Sequence, residues 1–404
     1  VLRGFFQGMG TMMPTAISQI IEQIVNAIVS IAAASYLFSY GVKLDAAAGI
    51  TNGKSGAIYG AAGSTLGTSL GAAAGLLFLI MVMLMYNRVL QKSMRRDHVS
   101  RQESYASTLR VLIMTIVPVI LSTAVYNISG IVDQGVFKYL MLDVQKADKS
   151  TVEIYWGIYV GKYKLLTNVP IAVASALSAS TIPALTRARI SGDWDEMRRK
   201  TEGAIRMVMM ICIPSAFGLT ALGEPILDLL SWNSNEIAPK LFLIGSASVI
   251  FYGLSTLTNG ILQGIDQMQI PVRNAVIALV THLLLMIGLV QFGRLHIYGV
   301  VIAYMFFAVL MCILNGAAIR KHLDYHQEIK RTFVIPAVSS LIMALAVWLL
   351  YQPLHKVIGV RISTVLCLGL AVLLYAFFIL LLHGITEDEL RAFPKGRTLV
   401  RILK

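Results

Sequence analysis

Four polar stripes stand out against an otherwise apolar chain. Gln19, Glu22, Gln23, Asn26 and Ser30 recur at spacings of 3, 1, 3 and 4, which puts them on one face of a helix. Ser122, Tyr126, Ser129 and Asp133 form a second stripe, at spacings of 4, 3 and 4. Lys164, Thr167, Asn168, Ser175 and Ser178 form a third, and Ser248, Tyr252, Ser255 and Asn259 a fourth. Lys162 points away from the third, because two residues turn a helix by about 200°. A carboxylate inside an apolar run costs a few kcal/mol and must face protein or water. Glu22 and Asp133 are therefore candidates for a coupling ion or proton. The plainer readings are a polar cluster that pins one helix, for Glu22, and an interfacial residue, for Asp133. His282 reads as a hydrogen-bonded core histidine rather than a proton carrier.

None of these sets suggests catalysis, so no catalytic residue, no metal site and no enzymatic activity are expected. Cys212, Cys312 and Cys367 fall inside apolar runs and read as small core residues. Gly49 to Ser55 resembles a phosphate loop, but three residues separate its glycines where four are needed. His322 and His326 have zinc-ligand spacing without the His-Glu-x-x-His pattern, which fits a solvated loop better.

The elements that position these stripes follow from composition. Hydrophobic residues make up 56% of the chain and charged residues 14%, with mean hydropathy +0.72. Soluble domains average about 25% charged. Backbone in lipid must satisfy its own hydrogen bonds, and nothing reads as paired strands, so the fold expected is an all-α integral membrane protein. Ten transmembrane spans are expected, at roughly 14–38, 57–86, 109–132, 160–185, 205–224, 240–262, 272–292, 297–319, 333–352 and 361–383. Pro118 should kink the third. Gly63, Gly67, Gly71 and Gly75 give the second a small-residue ladder for close helix packing.

With the amino terminus inside, about two-thirds of the 34 Lys and Arg residues fall on inner segments. Both termini are thus expected in the cytoplasm. The net charge of +13 reads as a topology signal and contact with anionic lipid, not as nucleic-acid binding.

A sequence repeat supplies a ruler. Gly4, Gln7, Gly8 and Met12 recur as Gly260, Gln263, Gly264 and Met268 at a constant offset of 256. In both copies a hydrophobic segment gives way to a Gly-x-x-Gln-Gly turn, and a proline opens the next segment, which makes Gly4, Gly8, Gly260 and Gly264 hinge candidates. Six expected spans separate the copies, so the halves should share one orientation. Four spans precede the second copy within its half. By symmetry four should precede the first, which predicts a 14-helix whole with six-helix pseudo-repeats, of which the first four helices are missing here. The expected domains are 1–108, the remainder of the first lobe; 109–320, the second lobe; and 321–404, two extra helices and a basic cytoplasmic tail.

Arg-Gly-x-x-Gln-Gly followed by Met-x-Pro-Thr-Ala-x-Ser-Gln-x-x-Glu-Gln, Arg3 to Gln23, resembles the multidrug/oligosaccharidyl-lipid/polysaccharide (MOP) exporter superfamily. Within it, the match is to the polysaccharide biosynthesis branch, with stage V sporulation protein B and the lipid II flippases of MurJ type. Asn168-Val169-Pro170, Ser180 to Leu185 and Leu222 to Leu227 fit the same branch. The resemblance implies two lobes around a central cavity and two C-terminal helices associated with a lipid tail. It implies transport in the cell membrane: moving an undecaprenyl-pyrophosphate-linked saccharide, lipid II of peptidoglycan biosynthesis foremost, by alternating access. Lys164 would then contact the pyrophosphate; its plainer reading is a snorkelling lysine. Gln19, Glu22, Gln23, Asn26, Asn168, Ser248, Tyr252 and Asn259 would line the cavity. No cofactor is expected beyond Na+ or H+ coupling or the membrane potential. Expected partners are the saccharide lipid, membrane lipids and proteins of cell-wall synthesis. Alternatives are a flippase for another polysaccharide lipid, a cation-coupled drug exporter of the same superfamily, and a non-transporting scaffold.

Overall fold

A computed structural model describes residues 2–49, 54–96, 104–230 and 236–385. Among them the chain is helical throughout, with no strand. It divides into two compact units, Val1–Tyr105 and Ala106–Lys404.

The first unit holds α1 (Leu2–Gly8), α2 (Met13–Ala47) and α3 (Lys54–Arg96). Gly10, at φ 80°, takes the left-handed backbone needed between α1 and α2, and Pro14 sits in the first turn of α2. Glycine then lets α2 and α3 touch backbone to backbone. A Cβ on Gly63 would lie 2.5 Å from the Ala33 carbonyl oxygen, and one on Gly71 would lie 2.6 Å from that of Glu22. In lipid, where burying apolar surface gains little, such contact is what holds helices together. Asp45 accepts from the Ser55 amide at 3.0 Å and ties the start of α3 to the end of α2.

The second unit begins with α4 (Tyr105–Lys138), whose end widens into a π turn at Tyr139–Val144. Next, α5 (Lys149–Ile158) continues through a π turn at Tyr159–Lys164 into α6 (Leu165–Ile190). Then come α7 (Trp194–Leu229), α8 (Ile237–Gly245), α9 (Ser248–Gly264) and α10 (Gln269–Ile287), with a π turn at Gly288–Phe292. The unit closes with α11 (His296–Leu323), a π turn at Lys330–Val334, α12 (Ile335–Ile358) and α13 (Val360–Leu381). Asp148 and Asp193 cap α5 and α7 by accepting from the Thr151 and Glu196 amides. α9 is the hub, packed on α6, α7 and α11. α12 and α13 pack on α7 through Leu222, Met343, Val347 and Cys367.

Among the described residues, eight helices are long and apolar enough to cross a membrane, or nine if α8 and α9 form one span. The protein is a multi-pass, all-α membrane protein. α4, 34 residues long, lies where the remaining expected span falls; Pro118, Ser122 and Tyr126 within it are outside the described side chains. Residues 50–53 of the phosphate-loop look-alike, Arg101 and the basic tail after residue 385 also lie outside the described residues.

Two expectations change. The span expected at 240–262 is bent by 50° between α8 and α9. There the Tyr163 hydroxyl donates to the Gly245 carbonyl at 2.8 Å and lies 2.9 Å from Ser248 Oγ, so the polar groups of the break are satisfied in the apolar interior. The Gly-x-x-Gln-Gly motifs are not turns. Gly4 and Gly8 belong to α1, and Gly260 and Gly264 end α9. The second pair lets α9 approach α6: a Cβ on Gly260 would collide with Ser178, and one on Gly264 would lie 3.0 Å from the Leu185 Cβ. The chain turns two residues later, at Asp266, which holds φ 61° and pairs with Arg189 at 2.7 Å.

Candidate functional site

The second unit gathers ionisable and aromatic groups from five helical segments. Asp133, on α4, and His282, on α10, are both buried, with Oδ1 and Nε2 2.7 Å apart. His282 Nδ1 is buried without a hydrogen-bond partner. Asp133 also acts electrostatically on Lys164, at the end of the π turn. The Lys164 ammonium lies over two rings, 4.5 Å from the Tyr304 centroid and 5.5 Å from that of Tyr159. The same rings join a stack: Tyr252 on Tyr304 at 4.1 Å, Tyr159 on Tyr163 at 5.7 Å, and Phe307 edge-on to His282 at 6.0 Å.

The π turn positions this lysine. It holds more residues than an α turn, so Tyr159 and Lys164, five apart, are brought onto one side. A desolvated ammonium over such faces gains about 2 kcal/mol. The lysine therefore sits in an aromatic box. Sequence periodicity missed this box, because an α-helical wheel cannot register a π turn. It also missed the pairing of Asp133 with His282, 149 residues away, for which no local signal exists.

The other residues of the third and fourth stripes divide. Thr167 and Ser178 are buried against the unit's core, whereas Asn168 and Ser175 are exposed. On α9, Ser248, Tyr252 and Ser255 are buried. Ser248 is committed to Tyr163 and Tyr252 to the aromatic stack. Asn259 accepts from Asn315 at 2.8 Å, and Asn315 accepts from Asn274 at 2.9 Å. Ser248, Tyr252 and Ser255 are thus enclosed between helices of the second unit, and Asn259 is half-buried.

In the first unit, Glu22 is joined to Arg3, with Oε2 and Nη2 2.5 Å apart, and Arg3 Nε donates to Ser18 at 3.0 Å. The carboxylate is neutralised inside its own unit. Asn26 accepts from Ser30, whose hydroxyl also meets the Ser64 carbonyl across the α2–α3 seam. Gln19 and Gln23 are exposed.

Two further features frame the second unit. An apolar groove of about 440 Å³ runs between α6, α7, α12 and α13, past Pro170, Pro214, Leu222 and Tyr375. At the other end of α7, buried Arg206 binds Glu202 at 3.0 Å and Glu328 at 3.2 Å. Arg198 donates there to the Leu323 carbonyl at 2.9 Å, clasping the segment after α11 to α7.

Three comparisons bear on this architecture. The lipid II flippase MurJ family matches residues 22–369. The lipid II flippase MurJ of Bacillus subtilis (strain 168) is 25% identical over 283 residues, covering 66% of this chain and 51% of the relative. A solved structure of a lipid II flippase MurJ in an inward closed conformation aligns with a TM-score of 0.52 at 17% identity, over 86% of this chain and 65% of that one; that likeness speaks to the fold. The chain spans about half the length of the curated relative. Because the family match runs from Glu22 in the polar stripe of α2 to Gly369 in α13, the chain belongs to the lipid II flippase MurJ family.

Proposed function

We propose that the chain takes part in moving an undecaprenyl-pyrophosphate-linked saccharide, lipid II foremost, across the cell membrane by alternating access. The observation that carries the reading is Lys164: an ammonium on a membrane-spanning helix, held by aromatic faces near one carboxylate. A cation so placed can exchange ring faces for pyrophosphate oxygens. Family membership and the names of the relatives supply the substrate class. The apolar groove between α6, α7, α12 and α13 suits the prenyl tail. Glu22 and Asp133 are the candidates for coupling to Na+, H+ or the membrane potential. Gly4, Gly8, Gly260 and Gly264 are the candidates for movement at the inner helix ends. The Lys and Arg bias supports a topology with both termini in the cytoplasm, and proteins of wall synthesis are the expected protein partners.

The test is translocation of labelled lipid II in liposomes, by this chain alone and by this chain joined to the amino-terminal segment of a MurJ relative. Transport by either form, reduced by Lys164→Gln at equal protein level, supports the reading. Folded protein that moves drugs but no lipid II in either form overturns it in favour of cation-coupled drug export.

A further inference from the structure

We propose that the His282 ring is a proton-binding site linked to anion capture at Lys164. The proposal rests on the flippase reading for the identity of the anion and on geometry for the linkage. With Asp133 ionised, the hydrogen between the two side chains belongs to His282 Nε2, which donates to Asp133 Oδ1. Nδ1 is then a bare acceptor, buried and unpartnered. Leaving such a nitrogen unmatched by protein is costly, and it is the one place on the ring that can accept a proton.

Charge balance sets the direction of the linkage. His282 meets Asp133 from α4 and the Phe307 ring from α11; behind them the same cluster holds Tyr159, Tyr163 and Lys164 from the π turn, Tyr252 from α9 and Tyr304 from α11. Of these, Asp133 and Lys164 are charged. With His282 neutral they cancel. An anion taken by Lys164 adds a negative charge and draws the ammonium away from Asp133. Both effects favour the imidazolium. One proton from the medium then binds Nδ1, Nε2 keeps its hydrogen on Asp133, and the imidazolium offsets part of the negative charge the anion brings. Nδ1 is sealed here, so the proton enters in another conformation. Its uptake is thereby tied to the conformational cycle and not merely to ambient pH.

The experiment is calorimetric binding of a pyrophosphate diester, a probe with no titrating group near neutrality, to the detergent-solubilised full chain. It is run from about pH 5.5 to 8, where histidine titrates, and in two buffers of different ionisation enthalpy to count protons. The expected result is uptake of about one proton per probe bound near the midpoint. Affinity should rise as pH falls, by up to about tenfold per pH unit. His282→Gln should bind the probe with no proton uptake and a flat pH profile. Binding of the probe by the unmodified chain with no proton uptake overturns the proposal and leaves the flippase reading standing, and this arm needs no variant to fold. Proton uptake that persists in His282→Gln also overturns it. No binding at any pH removes Lys164 as the anion contact, and the proposal falls with it.

Discussion

The Tyr163 hydroxyl reaches across 82 residues to donate to the Gly245 carbonyl at 2.8 Å. It sits where α8 bends into α9 and where a Cβ on Gly245 would collide with the same phenol. Tyr163→Phe should keep the ring packing but leave a buried carbonyl and the Ser248 hydroxyl short of a partner. The expected cost is about 1–3 kcal/mol, read as a lowered melting temperature in detergent. An unchanged melt would mean that the bend satisfies itself some other way.

The α2–α3 seam predicts a graded glycine series. Gly63→Ala and Gly71→Ala push a methyl against backbone oxygens at 2.5 and 2.6 Å, so each should cost roughly 1–3 kcal/mol. Gly4→Ala and Gly8→Ala have open space and a helical backbone. They should fold as well as the parent or better, by up to about 1 kcal/mol. Paired melting curves check the contrast. If Gly4→Ala lost translocation while keeping its stability, the hinge role would stand.

Lys164→Gln should lose about 2 kcal/mol of ring interaction and most lipid II transport. Lys164→Arg should recover much of both, since guanidinium also stacks on rings and binds phosphate. Transport assays at matched protein level decide it. Full transport by the glutamine variant would remove Lys164 from the proposed site.

Tyr325 offers a pH test outside the membrane spans. Burial first, then the charge of Glu202, push its phenol above the usual value; Arg206 opposes them, Glu328 adds to the rise, and the hydrogen bond with Gln327 opposes it least. Ionising it is therefore harder in the folded chain than in the unfolded one. Its contribution is complete below pH ~10, the ordinary tyrosine value, and is lost as pH rises beyond that. Tyr325→Phe should lower stability by a constant amount near neutrality and flatten the alkaline decline relative to the parent. Arg206→Gln would free Glu328 from its buried partner, at a cost of about 1–3 kcal/mol. Denaturation series from neutral to strongly alkaline pH test both variants.

Much of this architecture was legible in the residues. Apolar runs placed the membrane helices to within a few residues at many ends, and the Gly63–Gly75 spacing announced the seam that holds α2 to α3. What escaped was whatever departs from an α lattice or closes over long separations. The α8–α9 bend depends on Tyr163, far away in sequence. The π turn at Tyr159–Lys164 brought an aromatic box around a lysine that a helical wheel grouped with Thr167 and Asn168. Glu22 looked like a lone carboxylate because Arg3, its partner, lies on a different helix. His282 read as a hydrogen-bonded core histidine, as it is, but nothing near it in sequence named Asp133 as the partner.

The glycine seam has a calorimetric consequence. Where α2 meets α3 the contact is carbonyl and Cα against Cα, with few side chains between them. Parting two such helices within lipid exposes peptide backbone and small residues to acyl chains, and little apolar surface to water. Heat-capacity change tracks surface newly wetted. Separation of this hairpin should therefore follow a nearly straight line with temperature, without the domed curve of a water-soluble domain.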